Sequence, residues 1–213
     1  MDVVYPYKKN YSNELEWSIK SLKNIKYKNI YVVGDNPDFN LKATLVKPTK
    51  RAWHIFSPFH DQIDKYLTAC ETSKSDYLLL LNDDMFILDK TQIKNYNRGS
   101  ITQHLNERNI DSYSSELRST MEYLKSKGYT EVDFELHIPM LVERLKLKQA
   151  IEELIPILST SKKIMIRSYY GNRFNIESEY MEDIKNKIAT PYMSTNEDTF
   201  LGDLGEHIRN RLC

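Results

Sequence analysis

An α/β domain built on a mixed, mostly parallel sheet flanked by helices is the fold this sequence predicts, on three observations. Tyr77-Leu78-Leu79-Leu80-Leu81 is an unbroken apolar run, the pattern of a strand buried on both faces in a parallel sheet. It stops abruptly at Asn82-Asp83-Asp84, and the carboxyl ends of such strands are where open α/β sheets bind ligands. The first 34 residues read strand, helix, strand, a βαβ unit whose strands should be parallel with a right-handed crossover.

Taken in order, Asp2–Tyr7 is the first strand, expected to stop at Pro6 because proline cannot donate to a ladder. Its end offers a shelf for a nucleotide, which makes Tyr5 a candidate donor contact. Ser12 is the expected cap of a helix carrying Leu15, Ile19 and Leu22 on one face, with Glu14 and Glu16 near its positive end. Asn29–Val33 follows as a strand ended by Gly34-Asp35-Asn36-Pro37. Asp35 emerges at the same sheet edge as Tyr5 and Asn82, either to accept a hydrogen bond from a uracil or ribose or to turn the chain. Leu45-Val46 is a weak strand. Lys50-Arg51-Ala52-Trp53-His54 joins two cations with an indole; it reads either as a basic loop or, through Arg51, as a phosphate and ring contact. Ser57-Pro58 starts a helix whose inner face is Phe59, Ile63, Tyr66, Leu67 and Cys70. Its other face, His60, Asp61, Asp64 and Lys65, is expected to be solvated.

Beyond the acidic turn, Met85–Leu88 returns to apolar. Thr91–Tyr113 is too polar for core and long for a connector, so a lid or acceptor loop is expected there, with a short helix at 101–106. Ser114 or Ser115 caps a helix bearing Leu117, Met121 and Leu124, closed by Gly128. Phe134–Pro139 reads as a strand. A helix from Leu141 presents Leu147, Ile151, Leu154 and Ile155 before Pro156 stops it, and Ile164–Asn172 fits no period. Asn175–Cys213 is polar with amphipathic turns. One domain of 213 residues accounts for all of this.

Composition excludes several function classes. Thirty basic and thirty acidic residues cancel, so no global field would hold a polyanion, and any contact with DNA or a membrane must be local. Cys70 and Cys213 make neither a disulfide framework nor a zinc pattern. Met1-Asp2-Val3 lacks a basic leader and no apolar run approaches membrane-spanning length, so a cytoplasmic protein is expected. The six glycines include no GxxxxGK[ST] loop, which sets aside nucleotide hydrolysis on a Walker pattern.

Two adjacent carboxylates and an amide at a strand end suit a hard divalent cation, Mn²⁺ or Mg²⁺, bridging to a substrate diphosphate; the alternative is an Asn/Asp turn capping its own backbone. In this order the pieces resemble the GT-A class of nucleotide-sugar transferases. Several blocks are further similar to the Stealth sugar-1-phosphate transferases and to small phage or prophage relatives of them. These are Asp2-Val3-Val4-Tyr5, Glu14–Leu22, Leu81–Phe86, His137-Ile138-Pro139 and Arg167–Asn172, with Asn97-Arg98-Gly99-Ser100 matching the phage type. Where Stealth proteins have a Trp-Val-Asp-Gly-like first turn, this chain has Tyr5-Pro6-Tyr7-Lys8.

The resemblance implies a GT-A-like, Rossmann-type sheet with a nucleotide-sugar-binding half at 1–90 and a lid and acceptor half at 91–213. It implies Asp83 and Asp84 as metal ligands, Asn82 as an orienting amide and His137 as general base, the histidine of a His-x-Pro pattern. The residue-level alternative for His137 is a buried histidine bonded to backbone. Arg167 and, more weakly, Arg173 are candidate phosphate clamps, and His207 is a possible ligand from the tail. The expected function is metal-dependent glycosyl transfer from a nucleotide sugar, a UDP-sugar first, to an unknown acceptor. The alternatives are Stealth-like sugar-1-phosphate transfer, a phage enzyme acting on modified DNA bases in the host cytoplasm, and an idle glycan- or protein-binding module.

Overall fold

The structure is a computed structural model and describes residues 1–40, 42–49, 58–106, 111–158, 160 and 162–213. The segment 50–57, with Arg51, lies outside the described residues. The strands are β1 (Asp2–Tyr7), β2 (Ile30–Gly34), β3 (Thr44–Val46), β4 (Tyr77–Leu80), β5 (Met85–Ile87), β6 (Tyr96–Asn97), β7 (Met140–Glu143), β8 (Glu179–Tyr180) and β9 (Tyr192–Ser194). The helices are α1 (Glu14–Ser21), α2 (Pro58–Thr72), α3 (Ile101–Asn106), α4 (Ser112–Ser126), α5 (Arg144–Leu158), α6 (Ile166–Arg173), α7 (Glu197–Leu201) and α8 (Asp203–Leu212).

The central sheet has the order β3-β2-β1-β4-β7. The first three pairings are parallel and β4 with β7 is antiparallel, so the predicted mixed, mostly parallel sheet is what forms. The order in which strands are added reverses at the β1/β4 boundary, with β2 and β3 laid to one side of β1 and β4 and β7 to the other, so connections diverge there and leave a crevice at the carboxyl ends. Alternation along β1 sends Val4 into one core with Val33, Leu78 and Leu80, against α2, α4, α5 and α6. Val3, Tyr5 and Tyr7 enter the other, with Leu79, Leu81 and the Leu15 of α1. β5 pairs with β9 as a separate ribbon, and stacked Phe86 and Phe200 (centroids 5.6 Å apart) fasten α7 and α8 to it.

Several local expectations are corrected. β1 runs through Pro6 to Tyr7: Val3 N–H faces β2, donating to Asn29 O, so the nitrogen of Pro6 faces β4, whose pairing with β1 ends at Val4 and Leu80. A missing N–H there costs nothing. Asn13, not Ser12, precedes α1, and Ser12 Oγ instead donates to Glu14. The second face of α2 is not solvated: His60, Asp64 and Lys65 are all buried, and Lys65 Nζ donates to Tyr7 O at 2.9 Å while pairing with Asp61 at 2.6 Å. Asp111, a few residues earlier than expected, caps α4 by accepting the Ser114 N–H at 2.7 Å. Residues 134–139 are not a strand; the strand is the next four, so α5 begins at Arg144 and runs past Pro156 to Leu158. The unassignable stretch is helix α6, buried nearly all round, which is why no amphipathic period shows in it.

At the carboxyl edge Gly34 has φ +137°, and a Cβ on it would stand 1.9 Å from Tyr7 O. Only glycine lets β2 leave this close to the end of β1.

Candidate active site at the carboxyl edge of the sheet

The edge is assembled by register. β1, β2 and β4 all end there, placing Tyr7–Asn10, Gly34-Asp35 and Asn82–Asp84 side by side. β7 runs the other way with Met140 opposite Leu80, so His137-Ile138-Pro139 arrive at this same edge just before their strand begins.

The centre is a carboxylate cluster straddling the β1/β4 boundary. Asn10 Nδ2 donates across the crevice to Asp83 Oδ2 at 2.9 Å. Glu14, 2 % exposed at the start of α1, accepts from Ser12 Oγ (2.8 Å) and Thr195 Oγ1 (2.7 Å). Asp84 Oδ2 is paired with the Lys185 ammonium, which also donates to Thr195 O, while Asp84 Oδ1 is buried with no partner among the described residues. The Thr195 N–H closes the group by donating to Asp84 O at 3.1 Å. Burial, reinforced by the neighbouring charges of Asp84 and Glu14, pushes the Asp83 carboxyl up to about 7. Glu14 is likewise raised, first by burial and then by Asp84, against the hydrogen bonds that favour its charge.

These features fit a divalent cation. Magnesium-type sites use one or two carboxylates and leave the remaining positions to water and substrate phosphates, and here two adjacent carboxylates offer one orphaned buried oxygen and one carboxyl whose charge is opposed by burial and by neighbouring negative charges, an opposition that a bound cation would relieve. Among the described residues no set of three or more His, Cys, Asp or Glu side chains is arranged to hold a metal, so the protein alone would not complete the shell. Asp83 and Asp84 are the residues that would hold the ion.

A second constellation stands beside the first. His137 Nδ1 lies 2.9 Å from Asp183 Oδ2, and the His137 N–H also reaches Asp183 Oδ1 at 3.3 Å. Burial works against the Asp183 charge, but the bonds from His137 outweigh it, aided by Arg98 at 3.9 Å, and hold the carboxyl at about 2. An ionised carboxylate only accepts, so Nδ1 carries the hydrogen, and in the neutral ring Nε2 is then the acceptor. Asp183 and Lys185 are two residues apart, at most about 7 Å between Cα atoms. One short segment therefore holds both His137 and Asp84.

The remaining predicted residues divide. Asn82 Oδ1 accepts from Gln62 at 3.3 Å, at the crevice. Asp35 is exposed there, accepting the Lys9 N–H at 2.9 Å, which makes it at least a pin for the loop after β1. Tyr5 does not reach the crevice: it is fully buried, its hydroxyl 2.9 Å from Ser18 Oγ, and burial raises the phenol well above its ordinary range. Arg167 is also taken out of solvent. Its guanidinium donates to Leu136 O (2.8 Å), Ile138 O (2.9 Å) and Leu80 O (3.2 Å), tying β4 to the His137 loop from beneath. It is a strut in place of the phosphate clamp expected. Arg173, at the end of α6, pairs with Glu153 of α5. His207 is half-buried on α8, outside the cluster.

Sequence reasoning missed Asn10, Glu14, Lys185 and Thr195. Glu14 was visible as a helix-start acid and as the first residue of the Glu14–Leu22 block, with no site role attached. Nothing local marks Lys185 or Thr195, which act 101 positions after Asp84 and 181 after Glu14 respectively.

Two cavities flank the crevice. One of about 300 Å³ is lined by Tyr7, Asn10, Ser12, Asp38 and Phe39, beside Asp83. The other, about 240 Å³ and polar, is lined by Arg98, Gln103, His104, Tyr180, Asp183 and Lys187, beside His137. A larger one of about 790 Å³ opens near Met1, Asn24 and Lys90, at the amino end of β1 and away from the carboxylates.

No family model and no curated protein matches the chain. Solved structures do. It is similar to 2-C-methyl-D-erythritol 4-phosphate cytidylyltransferase from Thermus thermophilus, at 8 % identity and TM-score 0.48 over 98 % of both chains. An active-site mutant of LgtC gives 14 % identity and TM-score 0.48 over all of this chain and 83 % of that one. The glycosyltransferase GlyE of Streptococcus pneumoniae TIGR4 gives 13 % and 0.42, over 85 % of this chain and 44 % of GlyE. These are likenesses of outline.

Proposed function

We propose that the protein is a metal-dependent glycosyltransferase that takes its sugar from a nucleotide sugar, a UDP-sugar first. The observation that carries this reading is the joining of two constellations at one sheet edge: the Asp83/Asp84 pair at the strand-order reversal, and the His137–Asp183 pair delivered there by β7. Bound at Asp83 and Asp84, Mn²⁺ or Mg²⁺ would neutralise the diphosphate and make it a better leaving group.

The chain's own residues do the rest. Asn10, donating to Asp83, and Gln62, donating to Asn82, fix the acidic turn from both sides. The cavity lined by Tyr7 and Phe39 accepts the nucleoside. His137 Nε2 takes the acceptor hydroxyl's proton, and Asp183 holds the ring in the required tautomer and stabilises the imidazolium that results. The polar cavity by Asp183 belongs to the acceptor half, with carboxylate and amide groups suited to hydroxyls. Glycosyl transfer is favoured over sugar-1-phosphate transfer because Arg167, the cation the second reaction would want on its phosphoryl oxygens, is bonded to carbonyls below the crevice.

Thermal-shift measurements with UDP-sugars, with and without Mn²⁺, test the reading: stabilisation is expected only when both are present. Chromatography of the nucleotide released on turnover or slow hydrolysis should then show UDP. A monophosphate as primary product would replace the assignment with sugar-1-phosphate transfer. His137→Gln should bind UDP normally and lose turnover.

A further inference from the structure

We propose that Lys185 is an exchangeable counter-ion: it neutralises Asp84 while the acidic pair is free of metal and, released when Asp84 turns to a divalent cation, its ammonium grips the diphosphate of the donor. The inference rests on the nucleotide-sugar reading and adds to it a second cation for the leaving diphosphate, a role separate from the clamp on transferred phosphoryl oxygens expected of Arg167.

The geometry points to exchange in three ways. First, Lys185 and Asp84 are a pair at the rim, with 24 % and 20 % of their side chains exposed, so neither charge is stranded in a dry core when the contact opens. Second, Asp84 is half used, with Oδ2 on Lys185 and Oδ1 buried without a partner among the described residues, and two cations on one carboxylate repel each other. Third, the backbone around Lys185 is fixed while its stem is not. Lys185 bridges to Ser194, Asn186 N–H donates to Ser194 O at 2.8 Å, Lys187 N–H donates to Ile184 O at 3.0 Å, and Asp183 is held on His137. Freed from Asp84, the ammonium therefore stays in the crevice on a flexible stem. Lysine there serves as a mobile point charge for phosphate oxygens. Several other cations described nearby are engaged: Lys65 with Asp61 and Tyr7 O, Lys9 with Asp38, Arg167 with carbonyls, Arg98 facing Asp183.

The test is direct binding, by titration calorimetry, of Mn²⁺ alone and of UDP in saturating Mn²⁺, to the native protein, Lys185→Met, Lys185→Arg and Asp84→Asn. Without its competitor, Lys185→Met should bind Mn²⁺ about fivefold or more tighter than native, yet bind UDP about tenfold weaker, the loss of one charge-assisted contact. Lys185→Arg should move Mn²⁺ the other way, about threefold weaker, because a guanidinium grips a carboxylate with two bonds. Its opposite sign separates exchange from general damage should Lys185→Met fold poorly. Mn²⁺ affinity unchanged or weakened in Lys185→Met, or UDP affinity unchanged, overturns the exchange while leaving the metal site standing if Asp84→Asn still abolishes Mn²⁺ binding. Mn²⁺ bound equally by Asp84→Asn overturns the metal site itself, and absence of Mn²⁺ binding in every variant overturns both.

Discussion

Arg167 and Lys185 are both cations of the second half of the chain that reach toward the end of β4, and they serve opposite purposes. Arg167 is buried beneath the edge with its guanidinium divided among three backbone carbonyls, one from β4 and two from the His137 loop. Lys185 stands at the rim on a carboxylate whose other oxygen has no partner among the described residues. A guanidinium bonded to carbonyls cannot leave, because departure would orphan its own donors and three acceptors at once. An ammonium on a part-exposed carboxylate can leave, because water, metal or phosphate replaces each side. What decides whether a positive residue near an acidic site is architecture or chemistry is thus how many buried carbonyls depend on it: three for the buried Arg167, and Thr195 O alone for Lys185, whose other acceptor is the rim carboxylate of Asp84.

The largest effect that would break this contrast is on Arg167. Arg167→Met should lower unfolding free energy by about 3–5 kcal/mol, read as a shift in the urea midpoint, since a buried hydrogen-bonded cation is removed and its carbonyls are left dry. A loss under about 1 kcal/mol would return Arg167 to the set of ligand contacts. Next is Asp84→Asn: the Mn²⁺-dependent rise in melting temperature with UDP should vanish, while unliganded stability changes by less than about 1 kcal/mol because the Lys185 pair is rim-exposed.

Asp183 gives a smaller, pH-dependent effect. Its carboxyl is held at about 2 in the folded chain against an ordinary 3.8, so the native state favours the charged form. The stability it contributes is fully present above pH 3.8 and is lost as pH falls from there through 2. Asp183→Asn should therefore cost about 1–2 kcal/mol at about pH 6, and the gap from the native protein should narrow to a small remainder by about pH 2 and close below it in denaturant titrations. A gap that persists in that acid range would assign the loss to packing. The smallest expected effect is at Asp35, where Asp35→Ala removes one exposed acceptor from Lys9 N–H: about 0.5–1 kcal/mol of stability, with UDP affinity kept within about threefold. A larger loss of UDP binding would sharpen the contrast by adding Asp35 to the donor contacts.

The central sheet was legible because its signals are local: the run Tyr77–Leu81 has no polar alternate, and the βαβ start is punctuated by Gly34. The acidic turn was legible for the same reason. Lys65 and His60 misled because α2 packs on both sides, so polar residues at helical spacing were read as facing water when they are buried, Lys65 against the end of β1. β7 was misplaced by a few residues because His137-Ile138-Pro139 and Met140–Val142 are both largely apolar and only the pairing with β4 chooses between them. Arg167 looked available because a buried α6 has no polar face to expose. The partners of Asp84 and Glu14 lie beyond any window a local pattern can span.

That long separation bears on how the protein comes into being. Glu14, Asp83 and Asp84 are synthesised early, yet the ammonium that settles on Asp84 is added 101 residues later and the hydroxyl that settles on Glu14 later still. β5, which directly follows the acidic turn, likewise waits for β9 to pair with it. While the chain is still growing on a ribosome, the acidic residues meet one another before their counter-charge exists, so the nascent first half has reason to stay open at this edge. Expressed as two pieces divided after Lys90, the protein should regain its acidic cluster only when the second piece docks.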